Sequence, residues 1–270
     1  VAVSRVNYHT RVRSHKDTRI LEMTDSKTVY GTTMAVGRLR VTEQVTGYDR
    51  IHTRSGKVIE RIALDLPPMV FETQGLWFAV PQMVTDRAEK AWIHVMGGLH
   101  ALEHAAIGVF PLMVLADRND LGGISTPFHP QLQGAGIFIY DGIPGGAGLC
   151  FQAFTDGQGL LDAVRSAISD CPCETGCPSC VHSPKCGSGN RPIDKAGALF
   201  LLAALMSDQA VSNAFELPAP RLAVAEQTPH EASPEGQPVY GYGVLDIETQ
   251  LSAQEVGGWH RADRMRVSCA

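Results

Sequence analysis

Five cysteines fall between Cys171 and Cys186, a window of sixteen residues in a chain of 270. Four of them form the run Cys171-Pro-Cys173-Glu-Thr-Gly-Cys177-Pro-Ser-Cys180, with the spacing Cys-x-Cys-x3-Cys-x2-Cys. A tight, odd-numbered cluster without a secretory leader points to a metal site in a reducing compartment rather than to a disulfide framework. Zinc takes four soft donors in a tetrahedron, and four thiolates close it to water, so the site reads as structural. Pro178 and Gly176 allow the sharp turn that aims two thiolates at one point. Spacing leaves open whether Cys171 or Cys186 supplies the fourth donor. Four thiolates around Zn²⁺ carry excess negative charge, for which Lys185 and Arg191 are the nearby cations in sequence.

The rest of the chain must supply a core for this loop to fasten. A hydrophobic content of 44% is enough for one or two domains and excludes wholesale disorder. The longest unbroken apolar run, Ala198 to Met206, is under half of the ~20 residues a bilayer crossing takes. No membrane association is expected, and the cysteine usage suggests a cytoplasmic setting. Val1 opens the chain inside a strand-like segment, as in a piece of a longer protein.

Charge is divided unevenly. Residues 1–61 hold 12 Lys/Arg against 6 Asp/Glu, whereas the remainder holds 11 against 22. A basic N-terminal segment on an acidic body suits nucleic-acid contact, with Arg38, Arg40, Arg50, Arg54 and Lys57 as candidate residues; a solvated β-surface explains the same balance.

The fold class expected is α+β, a small antiparallel β-region followed by an α/β domain stapled by the four-cysteine zinc loop. Residues 1–81 are β-rich, with Arg54-Ser-Gly-Lys57 as a turn. Residues 82–216 form the zinc-binding domain. Asp86 and Glu89 suggest a capping box, Gly97-Gly98 a break between two helices, and 117–135 a loop. A strand at 136–140, helices over about 149–170 and a last helix from Asp194 to about Ser207 complete the domain. Residues 217–243, with five prolines, read as a linker, and 244–270 as the start of another domain.

Three further motifs carry chemistry. His100-Ala-Leu-Glu103-His104 matches the H-x-x-E-H pattern of some zinc peptidases, with Glu174 as the downstream carboxylate; a packed polar cluster is the plainer reading. Asp141-Gly-Ile-Pro-Gly-Gly-Ala-Gly148 could present amides to a phosphate, but it lacks the lysine of a P-loop and suits a tight turn better. Asp246-Ile-Glu248 puts two carboxylates on one strand face, as in the first motif of two-metal nucleases.

Several of these pieces together resemble a known family. Val41-Thr-Glu-Gln-Val-Thr-Gly-Tyr48, Leu64-Asp-Leu-Pro67, Gly98-Leu-His-Ala-Leu-Glu-His-Ala105, Asp117 to Ile124, Tyr140 to Gly148 and Cys171 to Gly187 occur in the order found in the C-terminal region of MrfA-type superfamily 2 DEAD/DEAH-box DNA helicases. The resemblance implies an ATP-dependent 3′–5′ helicase parent acting in DNA repair. It implies DNA as partner, with single-stranded DNA expected, and motor domains of the same parent chain that would use ATP and Mg. It also implies that Cys171, Cys173, Cys177 and Cys180 hold the structural metal. Residues 245–261 resemble the start of a ribonuclease-H-like domain. Neither motor domain is in this sequence. An interaction scaffold in a helicase or phage-defence complex is the alternative, and an H-x-x-E-H metallopeptidase a further one.

Overall fold

The computed structural model describes residues 6–207 and the backbone of two short strands, Ile247–Thr249 and Val267–Cys269. The chain divides into two units, residues 1–221 and 222–270. The segment 217–243 read as a linker lies outside the described residues, as does Asp246.

The first unit is built on an antiparallel sheet. Strands β1 (Tyr8–Val29) and β2 (Thr32–His52) form a long hairpin closed by Tyr30 and Gly31. Tyr30 adopts φ 52°, and the Gly31 amide donates to the Leu205 carbonyl at 2.6 Å, which fixes the turn to the helical layer. Strand β3 (Val58–Ala63) pairs with the outer half of β2, and β4 (Met69–Val80) with its inner half. Two later strands, β5 (Leu121–His129) and β6 (Gly134–Asp141), extend the sheet in the order β1-β2-β4-β6-β5.

Alternation along the strands makes two apolar faces. Met34, Val36, Leu76, Phe78, Ile137 and Ile139 face the helices, while Ala35, Leu39, Val41, Trp77 and Phe138 form a smaller core behind. Gln131 caps that second core by bonding both the amide and the carbonyl of Ile20, at 2.7 and 2.8 Å, which satisfies two backbone groups of β1 at once.

The helices are α1 (Gln82–Lys90), α2 (Val95–Met113), α3 (Leu149–Thr155), α4 (Gly157–Ser169) and α5 (Lys195–Leu205). By length and composition α2 could cross a bilayer, but 67% of its apolar window is buried, as in the core helix of a globular unit. Its face Leu99, Leu102, Ala106 and Phe110 is inaccessible to solvent. The architecture is α+β, as the sequence predicts.

Four local expectations change. Helix α1 starts at Gln82 with Pro81 as N-cap and no side-chain cap, so Asp86 and Glu89 are not its capping box. Pro81, with φ −55°, turns β4 directly into the helix. Gly97 and Gly98 lie inside α2, where Gly98 lets the backbone of α5 approach; a Cβ there would stand 2.9 Å from the Gly197 carbonyl carbon. The segment 117–135 contains β5 rather than loop alone, and its Gly123 admits Glu103 against the strand. Finally, β4 pairs with β6, so the parts divided at residue 81 share one sheet.

Candidate metal centre

After α4 ends, residues 171–180 fold into a knuckle. The Cys177 carbonyl accepts from the amides of Cys180, Val181 and His182 at 3.0, 3.2 and 3.0 Å. Gly176 adopts φ 119°, and a Cβ there would meet Val181 at 2.6 Å, so the turn requires glycine. The four sulfurs converge: Cys171–Cys173, Cys171–Cys177 and Cys173–Cys180 are each 3.5 Å apart, and Cys177–Cys180 are 3.8 Å apart. A tetrahedron with Zn–S near 2.3 Å has edges of about 3.8 Å. A disulfide needs about 2.05 Å. The spacing fits a tetrathiolate zinc ion and no cross-link. The Cys177 amide donates to the Cys180 sulfur at 3.4 Å, as suits a thiolate acceptor.

The thiols differ in acidity. The Ser179 amide, followed by the neighbouring thiols, lowers Cys177 to about 6, whereas burial pushes Cys180 up to about 12. The counter-charge comes from a residue that the sequence does not single out. Lys195, buried in the first turn of α5, donates to the carbonyls of Cys171 and Cys173 at 2.6 Å each and reaches the Cys173 sulfur at 3.5 Å. Lys185 instead donates to the Arg118 and Leu121 carbonyls at 2.8 and 3.0 Å. A lysine behind an N-cap aspartate looks like ordinary helix initiation, so only the fold exposes its role.

Cys186 stands apart from this set. It joins His100 and His104, and the three ligand atoms lie within 4.8 Å of one another. Cys186 Sγ is 3.4 Å from His100 Nε2, and the two rings have centroids 4.2 Å apart. Burial disfavours the Cys186 thiolate, but hydrogen bonds from His100 and His104, then Ser188 and the Asn190 amide, outweigh it and bring the thiol down to about 4. Glu103 is buried beside the histidines, where it accepts from Ser125 at 2.6 Å, and desolvation raises its pKa. Glu174 is exposed in the cysteine knuckle and is not a member of this cluster, so the H-x-x-E-H pair gains a thiol instead of the carboxylate the peptidase pattern requires.

The glycine loop has its own anion. Asp141 is fully buried and accepts from the amides of Ala147, Leu149 and Cys150 at 2.6, 3.2 and 3.1 Å, which takes the place a phosphate would occupy. Among the basic candidates, Arg38 pairs with Glu22 at 3.1 Å, Arg40 with Glu72 at 2.7 Å and Arg50 with Glu60 at 2.9 Å. Arg54 and Lys57 are exposed at the β2–β3 turn and make no ion pair among the described residues. Glu248 lies in β7 (Ile247–Thr249), opposite Ser268 of β8 (Val267–Cys269).

A family model described as "MrfA Zn-binding domain" matches residues 102–181. An uncharacterized protein of Methanocaldococcus jannaschii is 38% identical over 112 residues, which cover 40% of this chain and all of the relative. The ATP-dependent helicase HRQ1 of Saccharomyces cerevisiae is 26% identical over 176 residues, covering 62% of this chain and 16% of the helicase. This chain therefore aligns with a minor part of that curated helicase. Among solved structures, the crystal structure of DUF1998 helicase MrfA bound to DNA aligns with a TM-score of 0.50 at 25% identity, over 76% of this chain and 26% of the other.

Proposed function

Because this chain belongs to the MrfA Zn-binding domain family, we propose that it forms the zinc-stapled accessory region of an ATP-dependent DNA helicase. The observation that carries this reading is the convergence of four thiols at tetrahedral spacing within the stretch that matches the MrfA Zn-binding domain model. The zinc would be held by Cys171, Cys173, Cys177 and Cys180 and would contribute folding energy, with no open coordination position for chemistry. ATP and Mg would be used by motor domains of the parent protein, and the family resemblance supports a 3′–5′ polarity and a role in DNA repair.

In the same reading, residues 217–243 connect the zinc-binding unit to a ribonuclease-H-like region beginning near 244, where Asp246 and Glu248 would open a nuclease site. DNA contact is assigned to the exposed β2–β3 turn. Local carboxylates neutralise Arg38, Arg40 and Arg50, while Arg54 and Lys57 keep their charge for phosphates.

Fluorescence anisotropy with labelled single-stranded and duplex DNA tests the DNA contact. Binding should weaken as salt rises, and Arg54→Glu with Lys57→Glu should reduce both the affinity and the salt slope. The pairing of the other arginines favours a second reading, a scaffold surface for protein partners. An affinity indifferent to the Arg54 and Lys57 changes would select it.

A further inference from the structure

We propose that His100, His104 and Cys186 form a second metal site, for a divalent ion of the zinc class, with its fourth coordination position open to the adjoining cleft.

The ligand geometry is prepared. His100 and His104 are four residues apart on α2 and therefore share one helical face. Each ring is held by its Nδ1, which lies 2.7 Å from the Pro192 carbonyl in His100 and 2.8 Å from the Val181 carbonyl in His104. A carbonyl only accepts, so in the neutral ring the proton sits on Nδ1 and the Nε2 lone pair is left for a metal. Outer carbonyls orient metal-binding histidines in this way. The His100 Nε2–Cys186 Sγ separation of 3.4 Å compares with about 3.6 Å for a nitrogen and a sulfur sharing a tetrahedral zinc.

The thiol is equally well placed. Asn190 donates its amide to Cys186 Sγ at 3.3 Å, and its side chain ties the loop by accepting from the Ser183 amide at 2.8 Å and donating to the Ser183 carbonyl at 3.1 Å. Two imidazoles and one thiolate leave a zinc ion with a net positive charge, unlike the tetrathiolate knuckle. Buried Glu103, between the two histidines in sequence, is held by the Ser125 hydroxyl, which donates to it at 2.6 Å. Three protein ligands and an open position are the pattern of zinc sites that bind water or an exchangeable ligand. The cleft over this site has a volume of about 1090 Å³, and Arg11, Arg118, Lys185 and Arg191 line it. Asp49, Glu103 and Asp117 line the same cleft, so the open position faces a surface of mixed charge in which cations are in excess.

The test counts metal on the full chain. After incubation with excess zinc and desalting, inductively coupled plasma mass spectrometry should find two zinc ions per wild-type chain. His104→Gln and Cys186→Ala should each retain one. X-ray absorption at the zinc edge on the wild type should show nitrogen as well as sulfur neighbours, a readout that does not depend on any variant folding. One zinc per wild-type chain, an all-sulfur shell, or two zinc ions persisting in both variants would overturn the proposal. In those cases the trio is a hydrogen-bonded cluster that packs α2 against the loop.

Discussion

Lys195 grips Cys173 at two points, its ammonium lying 2.6 Å from the cysteine's carbonyl oxygen and 3.5 Å from its sulfur. The same ammonium also reaches the Cys171 carbonyl, so one buried cation fixes the backbone on the first half of the knuckle and offsets thiolate charge. Lys195→Met keeps the unbranched apolar stem of the side chain and removes both effects. Zinc affinity should fall about 10- to 100-fold, the usual range for losing an outer-shell partner. Competition with a chromophoric chelator measures it, and an unchanged affinity would show the charge to be irrelevant.

Removing metal from the knuckle should soften the whole helical layer, because Cys180 and Val181 belong to the main core. A strong chelator should lower the thermal midpoint followed by circular dichroism, and Cys177→Ser should reproduce the loss without chelator. A melt indifferent to chelation would count against a structural zinc.

His129 predicts acid sensitivity. Its Nε2 lies 3.0 Å from the Thr18 carbonyl, its ring packs on Phe138 with centroids 4.6 Å apart, and Nδ1 is buried without a partner among the described residues. Burial lowers its pKa below 6.5, against smaller opposing effects from the Thr18 carbonyl and Asp17. The unfolded chain then binds a proton that the folded chain refuses. Stability from this group is complete above pH 6.5 and is lost as pH falls through the depressed folded value. Urea titrations between about pH 7 and pH 5 should show that slope, and His129→Gln should flatten it.

Gly98→Val tests the contact between α2 and α5. The added side chain would begin 2.9 Å from both the Gly197 backbone and a Leu201 methyl. Overpacking of this kind costs about 1–3 kcal/mol. Urea unfolding should report that loss while the zinc content stays unchanged.

How far the sequence can be read depends on the distance between partners. The cysteine knuckle is legible because its four donors and its Gly176 turn lie within ten consecutive residues. The strands with β-branched runs and the helix of period 3.6 are legible for the same local reason. Cys186 reads as a possible fourth donor to the knuckle, whereas its true neighbours lie 86 and 82 residues earlier on α2. The glycines mislead in a consistent direction. Gly98 and Gly123 suggest a break and a loop, yet each makes room for a neighbouring element inside regular structure. Asp141 escapes notice in the same way, since a carboxylate that binds the next loop's amides looks like any strand-end acid.

The hairpin of β1 and β2 has a consequence for motion. Residues Met34 to Glu43 of β2 are bonded on both sides, by β1 and β4, and this stretch carries buried core residues. Farther out, Gly47 to Ile51 is flanked by β1 and the mostly exposed β3. Amide protons in the inner stretch can exchange with deuterium only when the core itself opens, whereas those in the outer stretch need only a local parting of three strands. The two halves of one continuous strand should therefore label on separate clocks, with the boundary near Gln44 to Thr46.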